Sequence, residues 1–180
     1  MDAYILLIYS PTIPRLKPED LELLRNWRNA DPIRANMEFR QIISAEQQEA
    51  WYESLRADKD FYFIFSKQGK KIGMVNAKNL DKESQSAETG IITGEKEFLS
   101  SPEPVLAVLA LMEFLFLEMD LAILYAKYAS QNAAIQKFNA ELGFLPVNKD
   151  ELKEFRYYSV TKDRFFSYTT DIRLRAERTR

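Results

Sequence analysis

The residue types available for catalysis define the chemistry this chain can support. It contains no cysteine and no histidine, which excludes thiol nucleophiles, disulfide frameworks, His-based triads and zinc sites of the usual ligand types. Acid–base chemistry must therefore use a carboxylate, a tyrosine, a lysine or bound water. Three short segments stand out. Trp27-Arg28-Asn29 combines a large apolar ring with a cation. Ser100-Ser101-Pro102-Glu103-Pro104-Val105 opens the most apolar stretch, and Ser101 before Pro102 has the form of an N-cap followed by the first helical residue. Asn132 precedes an amphipathic run that ends at Leu142-Gly143-Phe144.

The elements that must position these residues follow from periodicity and from breaks in it. Tyr4 to Tyr9 reads as a strand, and Pro11, Pro14 and Pro18 interrupt the chain before a helix over Asp20 to Asn29. Ser44-Ala45-Glu46-Gln47 has capping-box spacing, predicting a helix from Ala45 to about Arg56. Phe61 to Ser66, Lys71 to Asn79 and Ala87 to Thr93 form an antiparallel meander, turning at Gln68-Gly69-Lys70 and at Asp81 to Ser86. Pro102 to Glu118 is apolar nearly all round, as a helix packed on a sheet should be. A strand over Leu121 to Ala129, a helix over Asn132 to Glu141 with Gly143 as C-cap, a strand over Arg156 to Val160 and a helix from Lys162 to about Glu177 complete the order. Arg173, Arg175, Arg178 and Arg180 suit that last helix end, where positive charge complements the dipole.

With 180 residues, 46% of them hydrophobic, the chain fits one domain over residues 1–180. Twenty-five basic against 27 acidic side chains, a net charge of −2, disfavour a nucleic-acid partner. The N-terminus lacks a secretory pattern, and the longest apolar stretch, Val105 to Leu117, is shorter than the ~20 residues a bilayer needs. The expectation is a soluble cytoplasmic protein with no membrane partner.

Asn132-Ala133-Ala134-Ile135-Gln136-Lys137-Phe138-Asn139-Ala140-Glu141-Leu142-Gly143-Phe144 resembles, without a gap, the Asn, amphipathic helix and Leu-Gly-Phe segment of the GNAT acyl-CoA-dependent N-acyltransferases. Trp27-Arg28-Asn29, Met37, Ile43-Ser44, Glu46-Gln47 and Trp51 are similar to the N-terminal half of a bacterial branch acting on nucleotide-linked amino sugars or protein N-termini. Gly73, Glu88, Gly90 and Gly94 sit where that branch's strands would place them, and the resemblance spans Tyr4 to Phe166. It implies a mixed α/β (α+β) fold, a mostly antiparallel sheet of about seven strands with helices on both faces. It also implies an activity, transfer of an acetyl group from acetyl-CoA, as co-substrate and without metal, to the primary amine of a small-molecule acceptor. A fold-matched binding or scaffold protein is the alternative, and a homodimer is compatible with either.

The resemblance also implies roles. Glu88 would act as the catalytic base. The sheet would splay between Glu88 to Thr93 and Leu121 to Ala129, so Ile91 and Ile92 would meet the pantetheine arm. Asn132 would bond that arm or fix its loop. Asn139 stands where relatives carry a tyrosine that protonates CoA, with Tyr157 and Tyr158 as other candidates. The helix start would face the CoA pyrophosphate, but prolines replace amides there and Glu103 adds a negative charge, leaving Ser100, Ser101, Glu103 and Val105 as donors. Trp27, Met37 and Trp51 read first as packing of the two early helices against the sheet; through the resemblance, Trp27, Arg28 and Met37 would instead border the acceptor, where Arg28, Arg34 and Arg40 could meet its phosphate or carboxylate.

Overall fold

Alternation of side chains along one strand sets the architecture. Phe61, Phe63 and Phe65 enter a large apolar cluster on one side of the sheet, while Tyr62 and Ile64 enter a smaller cluster on the other. Both faces must therefore be covered. In the computed structural model, which describes residues 13–147 and 154–178, with side chains to 176, the strands are β1 (Phe61–Lys67), β2 (Lys70–Asp81), β3 (Ser86–Thr93), β4 (Ile123–Ala129), β5 (Leu145–Pro146) and β6 (Phe155–Thr161). They pair in the order β1-β2-β3-β4-β6-β5. Only β3 and β4 run parallel. The described sheet thus has six strands rather than about seven; the expected strand Tyr4 to Tyr9 lies outside the described residues, and the two-residue β5 is too short for alternation to announce.

The smaller cluster is covered by α1 (Leu21–Asn29) and α3 (Ala45–Glu53), with a single turn, α2 (Asp31–Arg34), between them. Local chemistry explains the start of α3: Ser44 Oγ accepts from the Gln47 amide and the Gln47 side chain returns to the Ser44 amide, a complete capping box. Trp27 fixes α1 to the sheet. It is buried, its indole N–H donates to Glu95 at 3.2 Å, and Gly94 exists to admit it: a Cβ there would lie 2.1 Å from the indole ring.

The larger cluster is covered by α4 (Pro102–Glu113), α5 (Ala133–Glu141) and α6 (Lys162–Arg178). The long apolar helix is regular only to Glu113 and ends in a π-helical turn over Phe114–Glu118. That turn seats Phe116 against Phe165 and Phe166, with ring centroids 5.4 and 6.2 Å apart. Arg173 does more than complement a helix end, because it pairs with Glu113, a carboxylate buried on α4. Gly143 follows α5 at φ +89, the left-handed conformation expected of its C-cap role.

Asp60 ties α3 to the far end of the meander. Its carboxylate accepts from the Arg56 amide at 3.0 Å, the Arg56 Nε at 2.9 Å and the Asn79 amide at 3.1 Å. Burial alone would raise its carboxyl, but the Arg56 guanidinium and the two amides outweigh burial and hold it below its ordinary value. A depressed folded-state value contributes stability that is complete above the unfolded value and is lost as pH falls through the folded one. An Asp60→Asn variant is therefore expected to be less stable than wild type at neutral pH. That difference should shrink below about pH 4, as read from denaturant melts across an acid series.

Candidate active site

β3 and β4 begin as a pair and then part. Their register runs Ser86↔Ile123 to Thr89↔Ala126, yet β3 continues to Thr93 and β4 to Ala129. The last strand-to-strand contact is sealed by Thr89 Oγ1, which donates to the Tyr125 carbonyl at 3.1 Å. Beyond it, the edges of Gly90–Thr93 and Lys127–Ala129 that face each other make no ladder bonds. Amides and carbonyls left so must be answered by something else.

A cavity of about 620 Å³ threads this split. On the α1–α3 side it is lined by Arg28, Met37, Trp51 and Tyr62, at the split by Gly90, Ile91, Ile92 and Tyr128, and on the α4–α5 side by Met112 and Asn139. It connects the two faces of the sheet. Such a passage lets one elongated molecule enter from the α4–α5 side and a second from the α1–α3 side, their reactive ends meeting in the split.

Glu88 and Lys78 are register partners on β3 and β2, so their side chains share a face, and they form an ion pair at 2.8 Å. Glu88 lines the through-sheet cavity and also a second one of about 340 Å³ that includes Tyr125 and Tyr157. Tyr128 lies on the opposite face of β4. It is buried and stacked on Tyr158 at 4.2 Å, with Asn139 near its hydroxyl. Burial first, then the neighbouring Tyr158, raises this hydroxyl far above its ordinary value, so it holds its proton. Asn132 caps α5, its side chain accepting from the Ile135 amide at 3.2 Å, and also lines the cavity.

The structure thus gathers Glu88, Ile91, Ile92, Asn132, Asn139, Arg28 and Met37 around one cavity. Trp27 stays outside it, packed beneath Gly94. Ser100, Ser101, Glu103 and Val105 also lie outside its lining. Sequence reasoning missed Tyr128, Lys78 and Lys127. Strand alternation could have grouped Lys127 with Tyr125 and set Tyr128 opposite, although only the sheet order tells which face meets the split.

The start of α4 is occupied by the chain itself. Ser101 is the N-cap residue, but its amide donates to the Phe98 carbonyl at 3.1 Å. Its hydroxyl lies 2.8 Å from the same carbonyl. Glu103 pairs with Lys67 of β1 at 2.9 Å. Burial alone would raise the Glu103 carboxyl, yet the neighbouring Ser101 hydroxyl, the Lys67 ammonium and its own amide hold it low. A carboxylate therefore stands where a helix start would otherwise attract an anion.

Residues 12–145 match the family described as acetyltransferase (GNAT) domain. A search of curated proteins returned no significant match. Among solved structures, a spermidine N-acetyltransferase from Vibrio cholerae in complex with CoA and spermine is similar, with a TM-score of 0.74 at 18% identity over 86% of this chain and 97% of that one. A domain from Methanocaldococcus jannaschii aligns with a TM-score of 0.73 at 21% identity, over 83% and 96% of the two chains. An uncharacterized protein from Bacillus halodurans aligns with a TM-score of 0.74 at 14% identity, over 92% and 91%. At these identities the likeness is one of fold.

Proposed function

Since the chain belongs to the GNAT acetyltransferase family, we propose that it transfers an acetyl group from acetyl-CoA to the primary amine of a small polar acceptor. The observation that carries this reading is the cavity through the split sheet, lined from both faces and edged by strand backbone without ladder partners. A pantetheine arm carries two amides and is narrow enough to lie between strands, so Gly90–Thr93 and Lys127–Ala129 suit its hydrogen bonds. The acceptor then approaches between α1 and α3. A nucleotide-linked amino sugar is the preferred acceptor and a protein N-terminus the second choice.

In this reading the amine nitrogen attacks the thioester carbonyl carbon, an amide C–N bond forms and the C–S bond breaks. Glu88 takes the proton the amine loses, directly or through one water, while Lys78 holds the carboxylate in place. The departing thiolate accepts a hydrogen bond from the Tyr128 hydroxyl, which keeps its own proton, and is then protonated by water. Asn139, which also lines the cavity, can donate a hydrogen bond but has no proton to give.

The test uses the chain's own composition. With no cysteine present, a thiol reagent reports only the CoA released, and mass spectrometry identifies the product. Amine-dependent thiol release with an acetylated product is expected; release that is the same with and without amine would overturn the reading.

The self-occupied α4 start has a consequence for the donor. Glu103→Gln frees Lys67 and removes a negative charge, so CoA should bind more tightly by roughly 3- to 10-fold at low salt, the scale of one partly screened charge pair. Acetyl-pantetheine, which lacks the pyrophosphate, should bind both proteins equally. Calorimetry at two salt concentrations checks this, and weaker CoA binding by the variant would show that Glu103 supports a competent phosphate site.

A further inference from the structure

The charged lining of the through-sheet cavity is unbalanced. It consists of Arg28, Lys78, Glu88 and Lys127. Lys78 pairs with Glu88, and Lys127 pairs with Glu38. Arg28 differs. No hydrogen bond or ion pair from the described residues reaches it, and its Nε is buried without a partner. Neighbouring arginines are committed elsewhere, Arg25 to Glu22, Arg34 to Asp31 and Arg40 to Glu154. Of the cations the sequence offered to an acceptor's phosphate or carboxylate, Arg28 alone is left with that role.

Resting on acetyl transfer as read above, we propose that the amine acceptor also carries a carboxylate or phosphate, which the Arg28 guanidinium binds while the amine reaches Glu88. The two groups belong to one chamber. Tyr62, buried on β1, has its hydroxyl pushed up to about 12, chiefly by burial and by Asp60, and it interacts with both Arg28, which lowers it, and Glu88, which raises it. Burial lowers the Arg28 guanidinium from its ordinary value, a penalty that an anionic ligand would relieve. Guanidinium forks bind carboxylate and phosphate in two-point contacts, which orient the ligand as well as hold it. A second ammonium in place of the anion would meet Arg28 with like charge.

The test compares four amines of similar length: γ-aminobutyrate, aminopropyl phosphate, γ-aminobutyramide and putrescine. Wild type is expected to give kcat/KM about 10- to 100-fold higher for whichever anionic amine fits than for the neutral amide, and lower still for the diamine. Carboxylate and phosphate arms show which anion the site takes. Arg28→Gln should erase the ratio of anionic to neutral rates, and Arg28→Lys should keep part of it. Calorimetric titration of the same four amines into wild type and Arg28→Gln runs alongside. Anion-selective binding that depends on Arg28 supports the proposal even where no amine is acetylated, in which case acetyl transfer fails alone. A preference for the diamine, or selectivity that survives Arg28→Gln, overturns it.

Discussion

Replacing Glu88 by Gln is expected to lower kcat by about 10²- to 10⁴-fold, the range general-base catalysis contributes, while the affinity for CoA stays nearly unchanged. Glutamine keeps the size of the side chain and can still accept a hydrogen bond from Lys78, so the β2–β3 pairing and the cavity wall remain. What it cannot do is take a proton. In the proposed reaction the carboxylate acts on the acceptor's nitrogen and not on the donor, so the loss should appear in turnover and leave the donor titration alone. Equal turnover for the two proteins across a pH series would make Glu88 a strand residue paired with Lys78 and nothing more. Water or the acceptor's own base would then carry the proton.

Phe116→Ala is expected to cost about 3–5 kcal/mol of folding stability. The ring is fully buried in the π-helical turn and packs on Phe165 and Phe166 of α6. Removing it leaves a void between two helices that cannot collapse without moving α4. Since a domain of this kind has about 5–15 kcal/mol in all, a large share would go. The urea midpoint should fall with little change in slope. Because Val108, Leu111 and Met112 of the same helix line the cavity, donor binding should weaken before global unfolding. A loss below about 1 kcal/mol would mean the turn repacks freely.

Much of the fold was legible because its signals are local. The Ser44 capping box, the left-handed Gly143, the Asn132 N-cap and the alternation of Phe61 to Phe65 each depend on neighbours within a few residues, and each appears as expected. The split between β3 and β4 was also expected, through the resemblance to the family. The site was less legible. Trp27 and Arg28 are adjacent in sequence but point about 100° apart on a helix; the apolar ring enters the core, as its residue type favours, while only the packing shows that the guanidinium enters the cavity. Glu103 reads as an intruder at a helix start until Lys67, from a strand far away in sequence, is seen to hold it. Tyr157 and Tyr158 were the visible tyrosines, yet Tyr157 is 44% exposed and Tyr158 serves as the stacking partner of Tyr128. That assignment needed the order of strands, which no local pattern contains.

The proposed function requires an acyl-CoA thioester to lie in the split between β3 and β4. Amide NMR during a CoA titration tests it most directly, because the backbone groups concerned are the reporters. Saturable shifts are expected, concentrated at Gly90 to Thr93 and Lys127 to Ala129, with smaller ones at Asn132 and Asn139. No binding at millimolar CoA, or saturable shifts confined to residues away from the split, would contradict it.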